Sequence, residues 1–215
     1  MNLVESINNY LAKQPIEEPR RYFGASSIGK PCLRSIWYAY KGVDSLPIEP
    51  KTQVTFNIGK CLEEMVLEYL KQSGVFVISQ GQFYQDSDVM ELQGHVDGVI
   101  VLPDGSKAIL ELKTANDTSF NRFKSHGLLP WSEVYYSQLQ TYMGMSGIHK
   151  GVLLALNKNT SEFHQECVIF DEIWYESLKW KAKNLRDAIE PPEKISGNGS
   201  YFLCKSCQFR KVCHE

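Results

Sequence analysis

The segment from Met90 to Thr114 constrains the fold of this chain more than any other. Two strand-like runs, roughly Met90 to Leu102 and Lys107 to Thr114, flank Pro103-Asp104-Gly105-Ser106. Proline presets the first bend of a turn and glycine tolerates positive φ, so the two runs are predicted to pair as an antiparallel hairpin. Side chains alternate across a strand, which puts Glu111 and Lys113 on one face and Leu110 and Leu112 on the other. One face is a site and the other a core. Asp97, in Gly94-His95-Val96-Asp97-Gly98, interrupts the apolar first strand and brings a second carboxylate to the neighbouring strand.

Elements on either side complete an α/β pattern. A helix is predicted from about Gln53 to Gln72, stopping at Ser73-Gly74 where glycine can take the left-handed terminating conformation. Its buried stripe reads as Ile58, Leu62, Met65, Val66 and Tyr69, with Lys60, Glu64, Glu68 and Lys71 on the opposite face. Glu63 falls between Leu67 and Leu70, so it points toward the interior edge. Val75 to Tyr84 reads as a further strand. Beyond the hairpin come a helix from Trp131 to Met145, strands over Gly151 to Asn157 and Glu162 to Phe170, and a helix from Glu172 to Ile189. Upstream, Leu3, Val4, Ile7, Tyr10 and Leu11 recur at helical spacing and predict an amphipathic helix packed on the body. Residues 14 to 31 read as an extended lead-in, Cys32 to Tyr40 as a helix and 43 to 51 as a loop. Strands alternating with helices imply a mixed central sheet flanked by helices.

With 215 residues, 43% of them hydrophobic, the chain suits one domain, with its core at about 53–190, a lead-in over 1–52 and a tail over 191–215. No apolar run approaches the roughly 20 residues of a membrane span, and Met1 to Gln14 lack the regions of a signal peptide, so a cytoplasmic protein is expected. Net charge is −2 and the pI about 6.2, which excludes a protein that coats nucleic acid by bulk electrostatics. Basic residues cluster locally at Arg20, Arg21, Lys30 and Arg34, at Lys179, Lys181 and Lys183, and at Lys205, Arg210 and Lys211. Each cluster taken singly reads as solvated surface charge.

An isolated Glu-x-Lys is ordinarily a surface ion pair. Asp97 on the neighbouring strand changes that reading, because two adjacent carboxylates can share one hard cation such as Mg²⁺ or Mn²⁺. Such an ion neutralises phosphate charge and acidifies water, and Lys113 beside it can orient a nucleophile or stabilise developing oxygen charge. Glu63 is available as a further ligand. Gln138 and Tyr142 are four apart and share a helix face; a packed tyrosine with a neighbouring amide and a role near the phosphate both fit that spacing.

Taken in order, Gly59-x-x-x-Glu63, Gly94-x-x-Asp97, Glu111-x-Lys113 and Gln138-x-x-x-Tyr142 resemble the PD-(D/E)xK nuclease superfamily, and within it the RecB-like exonucleases that include the AddB nuclease domain, CRISPR-adaptation exonucleases and phage enzymes. The resemblance covers about residues 24 to 213. It implies a restriction-endonuclease-like core in which Asp97, Glu111 and the Leu112 carbonyl bind the cation, Lys113 is catalytic, and Gln138 and Tyr142 line the site. Val96 stands where the superfamily has its naming proline, and Glu63 stands where RecB-like members often carry histidine. Implied function is a DNA exonuclease in phage or bacterial recombination, repair or replication, with a helicase or annealing protein as partner by analogy. A structure-specific or nicking endonuclease is the alternative within the same chemistry. A catalytically silent nucleic-acid binding module is the alternative outside it, and the intact charged trio counts against it. A zinc hydrolase of small molecules would need a His-rich ligand set that the chain lacks.

Six cysteines without a secretion signal suggest metal ligation or burial instead of disulfides. Cys204-x-x-Cys207 and Cys213 supply three thiolates, Cys32 is the best fourth and His214 the runner-up, while Cys61 and Cys167 read as buried thiols. That spacing fits zinc as well as iron. Similarity to AddB and the CRISPR-associated exonucleases implies a [4Fe-4S] staple joining the ends of the fold.

Overall fold

The computed structural model describes residues 2–14 and 21–215, so the basic position Arg20 and part of the predicted lead-in lie outside the described residues. Its strands, in chain order, are β1 (Phe23–Gly24), β2 (Val77–Ser79), β3 (Phe83–Gln85), β4 (Leu92–His95), β5 (Gly98–Val101), β6 (Lys107–Ala115), β7 (Lys150–Asn157) and β8 (Phe163–Ile169). Five of them form a mixed sheet in the order β2-β5-β6-β7-β8, with β6 and β7 parallel and the other neighbours antiparallel. The remaining three form a second sheet in the order β1-β4-β3.

The predicted turn forms. Leu102 N–H donates to the Ser106 carbonyl at 2.8 Å, and β5 pairs β6 from Gly98 opposite Leu110 to Val101 opposite Lys107. The two longer strands expected over Val75 to Tyr84 and Met90 to Leu102 do not run through. Each is broken in two, at the same level. Ser79 faces Val99 and Phe83 faces His95, one continuous registry, and Val96 N–H still donates to the Gln82 carbonyl at 3.1 Å. The ribbon is therefore a single hairpin that bends between those pairs, where Gly81 takes φ +61° and Asp97 leaves the ladder, and its distal half enters the second sheet. The break coincides with Ser79-Gln80-Gly81-Gln82 on one side of the ribbon and with Asp97 on the other, where apolar residues lapse.

Ten helices surround the sheets among the described residues: α1 (Leu3–Ala12), α2 (Ala25–Ile28), α3 (Leu33–Lys41), α4 (Pro50–Gln72), α5 (Asp117–His126), α6 (Leu128–Trp131), α7 (Glu133–Ser146), α8 (Glu172–Asp187), α9 (Phe202–Lys205) and α10 (Arg210–His214). The crossover from β6 to parallel β7 is made by α5, α6 and α7. Helix α5 was not expected from the sequence; in the fold Asn116 caps it by accepting Ser119 N–H at 2.9 Å. The helix expected from Trp131 to Met145 is α7; it begins at Glu133, since the Ser132 side chain caps it by accepting Tyr135 N–H, and Trp131 instead closes the short α6. Residues 137–143 of α7 are all buried, making it the central helix of the molecule.

Helix α4 covers the other sheet face, ending at Ser73 and Gly74 as predicted, but its buried stripe is rotated. Val66, Leu67 and the partly buried Leu62, Met65 and Leu70 meet Leu110, Leu112 and Leu156, whereas Ile58 and Tyr69 are 46% and 53% exposed. Its first three turns run past the sheet, which leaves Val54, Phe56 and Ile58 without a partner in the core. Helix α1 forms with an Asn2 cap and lies against α4, as expected of a helix on the body, but the contact is shallow: Leu3, Val4, Ile7 and Tyr10 are all exposed. The expected lead-in is structured instead from Phe23 onward, with Phe23, Ala25 and Ile28 buried in β1 and α2. Cys61 and Cys167 are exposed, contrary to expectation, because Cys61 lies on the solvent side of α4 and Cys167 on the outer face of edge strand β8.

Candidate active site

Strand β6 lies between the two helical layers and sorts its residues as the alternation predicts. Ala108, Leu110 and Leu112 join the cluster under α4, while Ile109 and Ala115 join the cluster that holds Leu139, Tyr142 and Met143 of α7. Glu111 and Lys113 share that second face. Glu111 is 1% exposed, an ionisable group inside the core.

Asp97 reaches this point because the ribbon bends. Continuing the β5–β6 registry by one residue places it across from Glu111, and its Oδ2 accepts the Leu112 N–H at 2.7 Å. A strand residue directs its N–H and C=O to the same side, so the Leu112 carbonyl also faces the side that Asp97 occupies. Lys113 Nζ donates to Glu111 Oε1, while the buried Glu111 Oε2 has no hydrogen-bond partner among the described residues. The Lys113 ammonium also lies 5.1 Å from the centre of the Tyr135 ring.

Burial pushes the Glu63 carboxyl up to about 7, and the Asp97 charge adds to the rise against the pull of Lys113. Burial also raises Glu111, with Asp97 and Glu63 adding to the rise and Lys113 opposing it. Asp97 is raised by burial in spite of Lys113 and the Leu112 N–H. Lys113 moves upward, because Glu111 and Asp97 outweigh its own desolvation. Three carboxyl groups thus face one ammonium in a space that resists holding all three ionised. Glu63, Asp97, Glu111 and Lys113, which the sequence groups as one candidate site, are one electrostatic group. No three His, Cys, Asp or Glu side chains among the described residues stand as a ready-made cation cage, and Lys113 supplies the compensating charge.

Gln138 and Tyr142 are brought to the same place. Tyr142 donates its hydroxyl to the His95 carbonyl at 2.7 Å, just before the bend, and Gln138 Nε2 donates to the tyrosine oxygen at 3.4 Å. Burial and the nearby Glu111 hold the phenol well above its ordinary range, so it stays a neutral donor. Gly94 makes this possible: a Cβ there would stand 2.7 Å from Tyr142 Cε1 and 3.0 Å from Ala25 Cβ. Gly94→Ala is expected to displace the Tyr142 ring and cost about 1–3 kcal/mol in stability, measured by thermal melting. A variant that melts like wild type would remove this role. Gly59, by contrast, has open space where its Cβ would be, so no steric reason for that motif glycine is visible here.

Sequence reading missed Tyr135. It lies three residues before Gln138 and seven before Tyr142, on the same helix face, and that spacing was the available signal. The basic cluster Lys179, Lys181 and Lys183 is taken up internally: the outer two pair with Asp88 at 3.4 and 2.7 Å, and Lys181 donates to the Ile28 carbonyl.

YqaJ-like viral recombinase domains match the chain over residues 32–149, which spans α3 through α7 and every residue of the charged group. The chain belongs to this family. No curated protein matches it in sequence. Among solved structures, the YqaJ-like chain is similar to the alkaline exonuclease LHK-Exo from Laribacter hongkongensis, at 13% identity and TM-score 0.59 over 85% of this chain and 90% of that one. LHK-Exo in complex with dAMP matches at 14% identity and TM-score 0.60, covering 78% and 87% of the two chains. SSO0001 matches at 19% identity and TM-score 0.55, covering 98% and 93%. At these identities the likeness is one of fold: the mixed sheet flanked by helices is an exonuclease-like fold.

Cys32 precedes the first turn of α3, and Cys204, Cys207 and Cys213 lie on and between α9 and α10, all lining one cleft. Burial raises the Cys204 and Cys207 thiols, and Cys32 and Cys213 add to the rise in both. His214 lines the same cleft, with a buried Nε2 that has no partner among the described residues.

Proposed function

We propose that this chain is a divalent-cation-dependent deoxyribonuclease, an exonuclease of phage-type recombination, folded as one nuclease domain over residues 1–215. The observation that carries the reading is the unpartnered Glu111 Oε2, buried beside Asp97 and Lys113. Carboxylates gathered at such density repel one another and disfavour an approaching phosphate, and a hard cation relieves both penalties. The donor set fits: Asp97, Glu111 and the Leu112 carbonyl would hold Mg²⁺ or Mn²⁺, with Glu63 as a further ligand. When bound, the ion supplies charge neutralisation at the phosphate and an acidified water. Lys113 would stabilise charge developing on the phosphoryl oxygens, held in place by Glu111 and the Tyr135 ring. Tyr142 and Gln138 would fix the His95–Asp97 bend. DNA as substrate is supported by family membership and by the exonuclease relatives, one of which is bound to dAMP.

The four cysteines fit a soft metal centre by donor type, and we infer a [4Fe-4S] cluster there, with zinc as the alternative; the likeness to AddB-type sequences supports iron.

Digestion of end-labelled linear and closed circular DNA tests the catalytic reading. Wild type with Mg²⁺ or Mn²⁺ is expected to degrade linear DNA progressively from an end and to leave circles intact. Lys113→Ala and Asp97→Ala are each expected to fall by about 10²–10³-fold. Equal activity in all three proteins would overturn the site, and cutting of closed circles would replace the exonuclease by an endonuclease.

A further inference from the structure

The cysteine-lined cleft has a volume of about 800 Å³ and runs between the start of α3, the first turns of α4 and the tail from Lys194 to His214. Its charge is lopsided. Lys30, Arg34, Lys194, Lys205 and Arg210 line it against one carboxylate, Glu49, in a chain whose net charge is −2. Lys30, Lys194, Lys205 and Arg210 make no ion pair with another described residue. Two aromatic rings, Phe56 and Phe202, also line the cleft while being 56% and 69% exposed; Phe202 packs at a tilt on Tyr201, with ring centres 4.6 Å apart, and is otherwise open to solvent.

One wall of the cleft is contributed by α7, the helix that also carries Tyr135, Gln138 and Tyr142. Ser27 and Val134 line it where α2 rests on the first turn of α7. Contact there is close enough that a Cβ on Gly29 would meet Ser137 Cβ at 2.5 Å and Val134 Cα at 3.1 Å. The residue after Val134 is Tyr135, whose ring lies against the Lys113 ammonium. Cationic side chains together with exposed aromatic rings in one cleft match what a single nucleic-acid strand requires: screening of its phosphates and faces on which bases stack.

We propose that this cleft is a track for single-stranded DNA, which it holds by Lys30, Lys194, Lys205 and Arg210 at the phosphates and by Phe56 and Phe202 at the bases. The assignment of that strand to the reaction rests on the nuclease reading; the binding itself does not require catalysis. An acidic peptide would satisfy the charges but not the stacking faces.

Fluorescence anisotropy of labelled oligo(dT) in EDTA, with anaerobically purified protein, tests binding independently of cleavage. Wild type is expected to bind with a steep salt dependence. Lys194→Gln/Lys205→Gln/Arg210→Gln is expected to weaken binding at least tenfold and to reduce the slope of log K on log salt by about 2, at about 0.7 per lost phosphate contact on a single strand. Lys13→Gln/Lys71→Gln/Lys107→Gln, an equal charge change at exposed positions elsewhere, is expected to leave both within twofold. Equal losses in the two triple variants, or none in the first, would overturn the track. Photocrosslinking of bromodeoxyuridine-substituted oligonucleotide to wild-type protein requires no variant and is expected to label peptides containing Phe56 or Phe202; labelling confined to other peptides would also overturn it. Wild-type protein that binds the oligonucleotide but cuts no DNA with Mg²⁺ or Mn²⁺ would sink the catalytic reading alone.

Discussion

Glu111→Gln is expected to lower DNA hydrolysis by about a thousandfold and, at the same time, to make the cation-free protein more stable at pH 8. Both effects follow from one carboxyl group. Glu111 is 1% exposed and its carboxyl is raised by burial, so ionising it costs the folded state more than the unfolded chain. Between its unfolded and folded pKa values the folded protein holds more protons than the unfolded one. Stability of the wild type in EDTA must then fall as pH rises from about 5, the unfolded carboxylate range, toward 8. Glu63 contributes in the same direction up to about 7. Glutamine keeps the shape and removes the charge, so the variant should lose most of this slope, and Lys113 retains Asp97 and the Tyr135 ring as partners. The gain at pH 8 is on the order of a few kcal/mol, or about 5–10 °C in Tm. Melting curves from pH 5 to 8, with and without Mn²⁺, read it directly. A variant that is less stable than wild type at pH 8, or that keeps the full pH slope, would show that Glu111 is not held against its ionisation.

That prediction draws on residues that the sequence located well. Glu111, Lys113 and their strand neighbours were legible because period two is a local property, and the turn at Pro103–Ser106 fixed which strand lay beside them. The stop of α4 at Ser73 and Gly74, and the pairing of Gln138 with Tyr142 on one helix face, were legible for the same reason. What could not be read locally depends on a partner elsewhere. Asp97 was placed on a continuous strand, yet it functions as the residue at which the ribbon turns from one sheet to the other, a bend set by Gly81 opposite and by Tyr142 gripping the His95 carbonyl. The apolar face of α1 predicted the helix and its contact with the body, made against α4, but not how little that contact buries, because amphipathicity says nothing about the shape of the surface opposite. Cys61 and Cys167 were placed inside on residue type alone, and the solvent sides of α4 and β8 overruled it.

The second large effect is expected at the cysteine cleft. The tail after α8 returns to α3 and the loop that follows it through a small number of contacts: Arg34 Nε donates to the Pro192 carbonyl, the Trp37 indole N–H donates to the Ala188 carbonyl at 3.1 Å, Leu46 N–H donates to the Gln208 carbonyl at 2.8 Å, and Phe209 packs on Tyr38 with ring centres 5.6 Å apart. Helices α9 and α10 have four and five residues, too short to hold themselves. A centre ligated by Cys32 and the three tail cysteines would close a loop that contains nearly the whole fold, and that closure removes freedom chiefly from the unfolded chain. Cys204→Ser should therefore cost several kcal/mol, on the order of the 2–5 kcal/mol that loss of a comparable cross-link costs. It should also expose the tail to trypsin at Lys194, Lys205, Arg210 and Lys211 before the core is cut. Cys61→Ser and Cys167→Ser, at exposed positions, should stay within about 0.5 kcal/mol of wild type. Metal analysis of anaerobically purified protein distinguishes iron with sulfide from zinc, and Cys204→Ser should lose whichever is present. If Cys204→Ser melts like wild type and its tail resists trypsin equally, the cysteines are not a cross-link, and the few tail contacts named above must suffice.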